Sequence, residues 1–316
     1  MIDSHVHVID PGRIDYPWLA DPLLAPINRP FLPDDLAPVL RADGVKAAIL
    51  VRTRSSLEES EEFLAHVQAH PWLAGVVAWA DLTTVDFVRQ LGALRAAPGG
   101  NKLVGIRHQV QDEPDDHWLL RQDVHRGLAV LDDHSLTFDL LVKPQHLGAA
   151  IQTVRRFPSP TFVLDHIAKP PIASGQTAGW AEQISTLAQL PNVFCKVSGM
   201  VTEADWQHSS RLRAVCRAHP RQLRRRTRPV RVGLAAVPAG GGIRAGHTDS
   251  GKFRSVYGIF PSGASATQCG FRELEERLVG FQTLRKWTES VSKHSSRNSW
   301  GSIPRPPNAM PELLTA

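Results

Sequence analysis

Seven apolar, β-branched runs recur along the first two-thirds of this chain, at residues 1–8, 46–52, 73–80, 103–108, 137–142, 161–166 and 193–198. Helical periodicity fills the gaps at 55–70, 84–97, 119–132, 146–156 and 178–189, and the first of these opens with a capping-box pattern from Ser56 to Glu59. Strands that are apolar throughout must be covered on both faces, which is the condition of a parallel sheet between helices. Seven such units, where eight take about 250 residues, predict an α/β chain of the (β/α)8 TIM-barrel type, complete through about strand 7. A doubly wound sheet is the alternative, but no Gly-rich phosphate loop follows any strand.

In a barrel the chemistry gathers at the C-terminal ends of the strands. Those ends read His5-Val6-His7, Arg52, Trp79, Arg107-His108, Asp165-His166 and Lys196-x-Ser198. Residues two apart on a strand share a face, so His5 and His7 point the same way. Imidazoles paired like this suit zinc or a similar divalent ion, whose catalytic sites take about three such ligands and keep one open position; His166 alone reads equally well as a hydrogen-bonded core histidine. Cations and histidines at most strand ends fit an anionic or oxygen-rich substrate around a metal or a water. His108 follows Arg107 directly and therefore faces the opposite side of its strand. Asp165 reads as a brace for its neighbour.

Composition narrows the classes. The chain has 316 residues, 42% of them hydrophobic and 21% charged, as in a globular protein with a sizeable core. No apolar run approaches the ~18 residues of a membrane span. No basic segment precedes the first strand, so a secretory signal is not expected. Three scattered cysteines (Cys195, Cys216, Cys269) make no disulfide framework, and a reducing cytoplasm is the expected compartment. Nothing in the composition reports on oligomeric state.

Four segments together, DSHVHVIDPGRIDYPWLA, GIRHQVQDEPDDHWLL, FVLDHIAKPPI and CKVSGMVTEADW, resemble the amidohydrolase superfamily (amidohydrolase 2 type). The branch is that of the sugar lactonases, fuconolactonase- and rhamnonolactonase-like, and the pyrone-dicarboxylate hydrolases. The resemblance spans residues 1–208. It implies a (β/α)8 barrel and hydrolytic opening of a lactone ring by an activated water. His5 and His7 match the family's first-strand pair, Arg107 its substrate-contacting fourth-strand arginine and His166 its sixth-strand histidine; His108 and Lys169 are further candidates for substrate contact. Some members bind zinc or another divalent cation here, and others work without metal. The family's general base is an aspartate in a Gly-Ser-Asp-Trp-Pro motif at the end of strand eight, and this chain has no such motif.

The text changes character after about residue 208. Residues 1–208 hold 17 Lys+Arg against 25 Asp+Glu, a net −8, whereas residues 209–316 hold 19 against 6, a net +13. Residues 209–248 contain ten arginines, no lysine and no acidic residue. A basic nucleic-acid-binding arm on a non-catalytic protein is the rival reading, yet aromatic side chains to stack on bases are absent until Phe253. A GC-rich gene read out of register gives the same composition. Arg231–Pro238 back-translates as CGG GTC GGA CTG GCC GCG GTG CCT, and one nucleotide later the triplets encode Gly-Ser-Asp-Trp-Pro-Arg-Cys. Only the wobble bases are free in that exercise. We therefore read 1–208 as the barrel and 209–316 as frame-shifted sequence that is not expected to pack, with hydrolysis impaired in the chain as written because the strand-eight aspartate is lost.

Overall fold

The protein is described by a computed structural model, which describes residues 2–200 and 202–203. The Arg-rich segment and the inferred frame change lie outside the described residues. All seven expected strands form: β1 (Ile2–Val6), β2 (Ala47–Val51), β3 (Leu73–Ala78), β4 (Leu103–His108), β5 (Thr137–Leu140), β6 (Phe162–Leu164) and β7 (Val193–Cys195). They pair in sequence order, every neighbour parallel. The sheet curls so far that Lys196, just past β7, reaches His5 on β1. This is the TIM-barrel wall through seven strands.

Among the described residues, six helices dress the outside: α1 (Pro33–Ala42), α2 (Leu57–Ala69), α3 (Phe87–Ala96), α4 (Gln122–Asp133), α5 (Leu147–Arg156) and α6 (Ala178–Leu187). The last five are those that the periodicity anticipates, and α1 is an addition. Its interior Pro38 removes one backbone donor and masks the helical pattern. Their apolar stripes bury Phe63, Leu64, Leu91, Leu128 and Ile184 against strand residues such as Leu50, Val76, Ile106 and Phe138. Each such side chain contributes roughly 1.5–3 kcal/mol by leaving water.

The expected capping box is half made. Ser56 Oγ accepts from the Glu59 amide at 3.3 Å, but Glu59 does not return the bond. Its carboxylate accepts from the Thr53 and Arg54 amides at 2.9 and 2.8 Å and from the Thr53 hydroxyl. Glu59 thus pins the loop after β2, directly behind Arg52. No described helix is long and apolar enough to cross a membrane.

Candidate active site

His5 and His7 project together from the end of β1, as their spacing requires. Their Nε2 atoms are 3.0 Å apart and their rings meet edge to face. His166 arrives from β6, its ring centroid 4.7 Å from that of His5. The turn that delivers it is unusual: His166, Ile167, Ala168 and Lys169 all have left-handed backbones, with φ of 50°, 50°, 56° and 47°. Each such residue costs on the order of 1 kcal/mol. The turn is held by bonds from the Ile167 amide to the Lys196 carbonyl at 3.0 Å and from the Trp180 indole to the Ile167 carbonyl at 2.9 Å. Ser198 fixes the ring itself at Nδ1, 2.8 Å away, which leaves His166 Nε2 buried without a hydrogen-bond partner among the described residues.

Beneath the histidines lies a buried lattice of charge. Arg107 donates to Asp165 Oδ2 at 3.0 Å, and Lys196 pairs with Asp165 Oδ1 at 2.8 Å and with Asp139. Arg52 and Arg107 interlock, each guanidinium donating to the other's backbone carbonyl. Both arginines are fully buried, yet Arg107 Nε and Arg52 Nη2 have no hydrogen-bond partner among the described residues. Burial alone would raise Asp165, but Lys196, His5 and Arg107 hold its carboxyl well below the usual range. Burial, with the neighbouring Arg107, pushes His7 down to about 3, and burial likewise lowers His166 to about 3 against the pull of Asp165. His5 is lowered too, by burial and by Lys196. All three imidazoles are therefore neutral near pH 7.

Among the residues proposed from sequence, the structure brings together His5, His7, Arg107 and His166. Lys169, buried three residues beyond His166, lines a cavity of about 340 Å3 with Lys143, Gln145, Pro171 and Glu203. His108 lies apart: its Nε2 meets Glu113 at 2.6 Å, its Nδ1 meets the Trp79 indole at 3.3 Å, and its ring stacks on Trp118 at 4.2 Å. Strand alternation turns it away from Arg107. The sequence reading left Arg52, Asp139, Asp165 and Lys196 out of the proposed set. Three of these four stand at strand ends already singled out, which was the available signal. Asp139 lies within β5 and is recognisable only through its partner Lys196.

Imidazoles and a carboxylate are donor types that zinc accepts, and His5, Asp165 and His166 bring ligand atoms within 4.8 Å of one another. The protons do not fit that ion. The Val51 carbonyl can only accept, so His7 Nδ1, 2.7 Å from it, carries the hydrogen and His7 Nε2 the lone pair. The contact at 3.0 Å then takes its proton from His5 Nε2, which leaves that nitrogen no lone pair for a metal. As arranged, His5 Nε2 is not the atom that holds a divalent ion.

With this geometry in place, comparison with known proteins is informative. An L-fucono-1,5-lactonase from Burkholderia ambifaria is 38% identical over 203 residues, which span 64% of this chain and 69% of that one. An amidohydrolase from Burkholderia multivorans, solved with bound zinc, is 34% identical with a TM-score of 0.63, over 70% of this chain and 78% of the other. A probable 2-pyrone-4,6-dicarboxylic acid hydrolase from Acinetobacter baumannii, 17% identical with a TM-score of 0.56, covers 70% of this chain and 79% of its own and shares the fold. The family model described as amidohydrolase matches residues 2–226, which runs past the change of composition near 208. Parallel barrel, histidine pair and matched length lead to one conclusion: the chain belongs to the amidohydrolase family.

Proposed function

We propose that this barrel is built to hydrolyse a sugar-acid 1,5-lactone of the L-fuconolactone kind, in a reducing cytoplasm. The carrying observation is the buried Nε2 of His166 beside a neutral histidine pair, above two buried arginines with unused N–H groups. Water attacks the lactone carbonyl carbon, the ring C–O bond breaks, and a hydroxy acid leaves. The Arg107 Nε–H and the Arg52 Nη2–H are charged donors suited to the oxyanion that develops. With Nδ1–H donating to Ser198, His166 Nε2 accepts a hydrogen bond from the attacking water. Lys169, Lys143 and Glu203 offer charged partners for the substrate's outlying hydroxyls.

The proton taken from water needs a stronger base than a histidine held near pH 3, and the family's is the strand-eight aspartate. Full turnover is therefore assigned to the reframed chain, made by a one-nucleotide deletion or insertion near codon 209. The test is acid release from L-fucono-1,5-lactone, other sugar lactones and pyrone dicarboxylates, using both the chain as written and the reframed one. Release by the reframed chain supports the proposal. Silence of that chain on every sugar lactone overturns it, and hydrolysis confined to the pyrones shifts the substrate class.

A further inference from the structure

Lys196 stands just past β7, and its ammonium faces three acceptors at once: Asp139 Oδ2, Asp165 Oδ1 at 2.8 Å and His5 Nδ1 at 3.1 Å. An ammonium has N–H donors and no lone pair. Contact with His5 Nδ1 therefore requires the lone pair to be on that nitrogen and the hydrogen on Nε2. The other end of the network, argued from the Val51 carbonyl, also requires the hydrogen on His5 Nε2. Two independent constraints agree on one directional chain, from Lys196 through His5 and His7 to the carbonyl of Val51.

A divalent ion seated between the imidazoles would need the opposite tautomer of His5. Placing the hydrogen on Nδ1 would set an N–H against the Lys196 ammonium. An acceptor for that hydrogen stands nearby, since Asp165 Oδ1 is 3.7 Å from His5 Nδ1. Histidines that bind metals are commonly oriented by a carboxylate in that position, but here the Lys196 ammonium lies 2.8 Å from Asp165 Oδ1 and 3.1 Å from His5 Nδ1, nearer to each than they lie to one another. We infer that Lys196 is a positioning residue that fixes His5 with its proton on Nε2 and thereby denies that nitrogen to a divalent cation.

The experiment uses the full chain as written, wild type and Lys196→Met. Long-range proton–nitrogen spectra of histidine-labelled protein read which nitrogen of His5 bears hydrogen, with the signal identified by its loss in His5→Asn. Zinc affinity is read by competition with a coloured chelator. The wild type is expected to show the proton on Nε2 and to lose zinc on dialysis. Lys196→Met is expected to move the proton to Nδ1 and tighten zinc binding at least about tenfold. Retention of one zinc per wild-type chain through dialysis overturns the inference. So does a Met variant with its proton still on Nε2 or its zinc affinity unchanged. If Lys196→Met loses its circular dichroism for want of a counter-charge, Asp139→Asn/Lys196→Met is read in the same two assays with the same expectations. Neither assay depends on hydrolysis, so the outcome stands apart from the lactone reading.

Discussion

Neutral imidazoles in a buried site make the protein sensitive to acid. His7 and His166 titrate near 3 when folded, while a histidine in the unfolded chain takes a proton below about 6.5. Their contribution to stability is complete above about 6.5 and is lost as the pH falls toward 3, because only the unfolded state gains protons in that window. His5 acts in the same direction. Asp3 and Asp139, both raised by burial to about 6, act in the opposite one, as do Glu59 and Glu62, binding protons first in the folded state. Burial lowers His66, His108, His125 and His146 as well, and seven imidazoles outweigh four carboxyls, so the denaturant midpoint of the full chain is expected to drop between about pH 7.5 and 5; a level or rising midpoint contradicts the assignment. At the same scale, Arg107→Lys keeps a charge but removes the fork that spans Asp165 and the Arg52 carbonyl. In the reframed chain it is expected to lower kcat for lactone hydrolysis about 10²–10³-fold. Steady-state kinetics check this, and an unchanged kcat with a raised KM would instead assign Arg107 to ground-state binding.

At the level of elements, α4 is seated by a glycine. A Cβ on Gly127 would lie 2.6 Å from the Leu82 carbonyl oxygen and 2.7 Å from Leu82 Cβ. Alanine is the better helix former by about 1 kcal/mol, whereas a clash with backbone typically costs 1–3 kcal/mol. The clash wins, and Gly127→Ala is expected to lower the melting temperature; a rise would mean that α4 shifts without cost. The strands and five helices were legible in the sequence because they are set by short-range patterns: continuous apolar runs for strands covered on both faces, a 3.6-residue period for helices. What was not legible depends on distant partners. Glu59 carries the signature of a capping box, yet bonds the Thr53–Arg54 loop, because three donors there outcompete one amide. No local rule places Ile167, a β-branched residue, in a left-handed backbone; its geometry is imposed by Trp180 and Lys196. The histidine pair was readable from strand alternation, but the bond between Lys196 and His5 joins residues 191 apart, and only the curl of the whole sheet brings them into contact.

At the scale of the whole molecule, seven strands in order leave β1 and β7 as the two outer strands of the described sheet. A barrel wall closes only when an eighth strand pairs with both, and an open parallel edge exposes unpaired backbone and an apolar interior to other chains. On the reading proposed above, the base stands on an eighth strand in a Gly-Ser-Asp-Trp-Pro motif, which Arg231–Pro238 yields when its back-translation is read one nucleotide later. Restoring the frame near codon 209 is thus expected to do two separable things. It supplies a carboxylate to remove the proton from water, worth about 10²–10⁴-fold in rate, and it supplies a strand to pair with both outer strands, which should raise the monodisperse share of the product. A third version, reframed but with that aspartate changed to asparagine, separates the two effects. It is expected to be as monodisperse on size-exclusion chromatography as the reframed chain, yet slower on lactones by the factor given for the base. Equal activity of the chain as written and the reframed chain would show that the frame change, or the assignment of the base, is wrong.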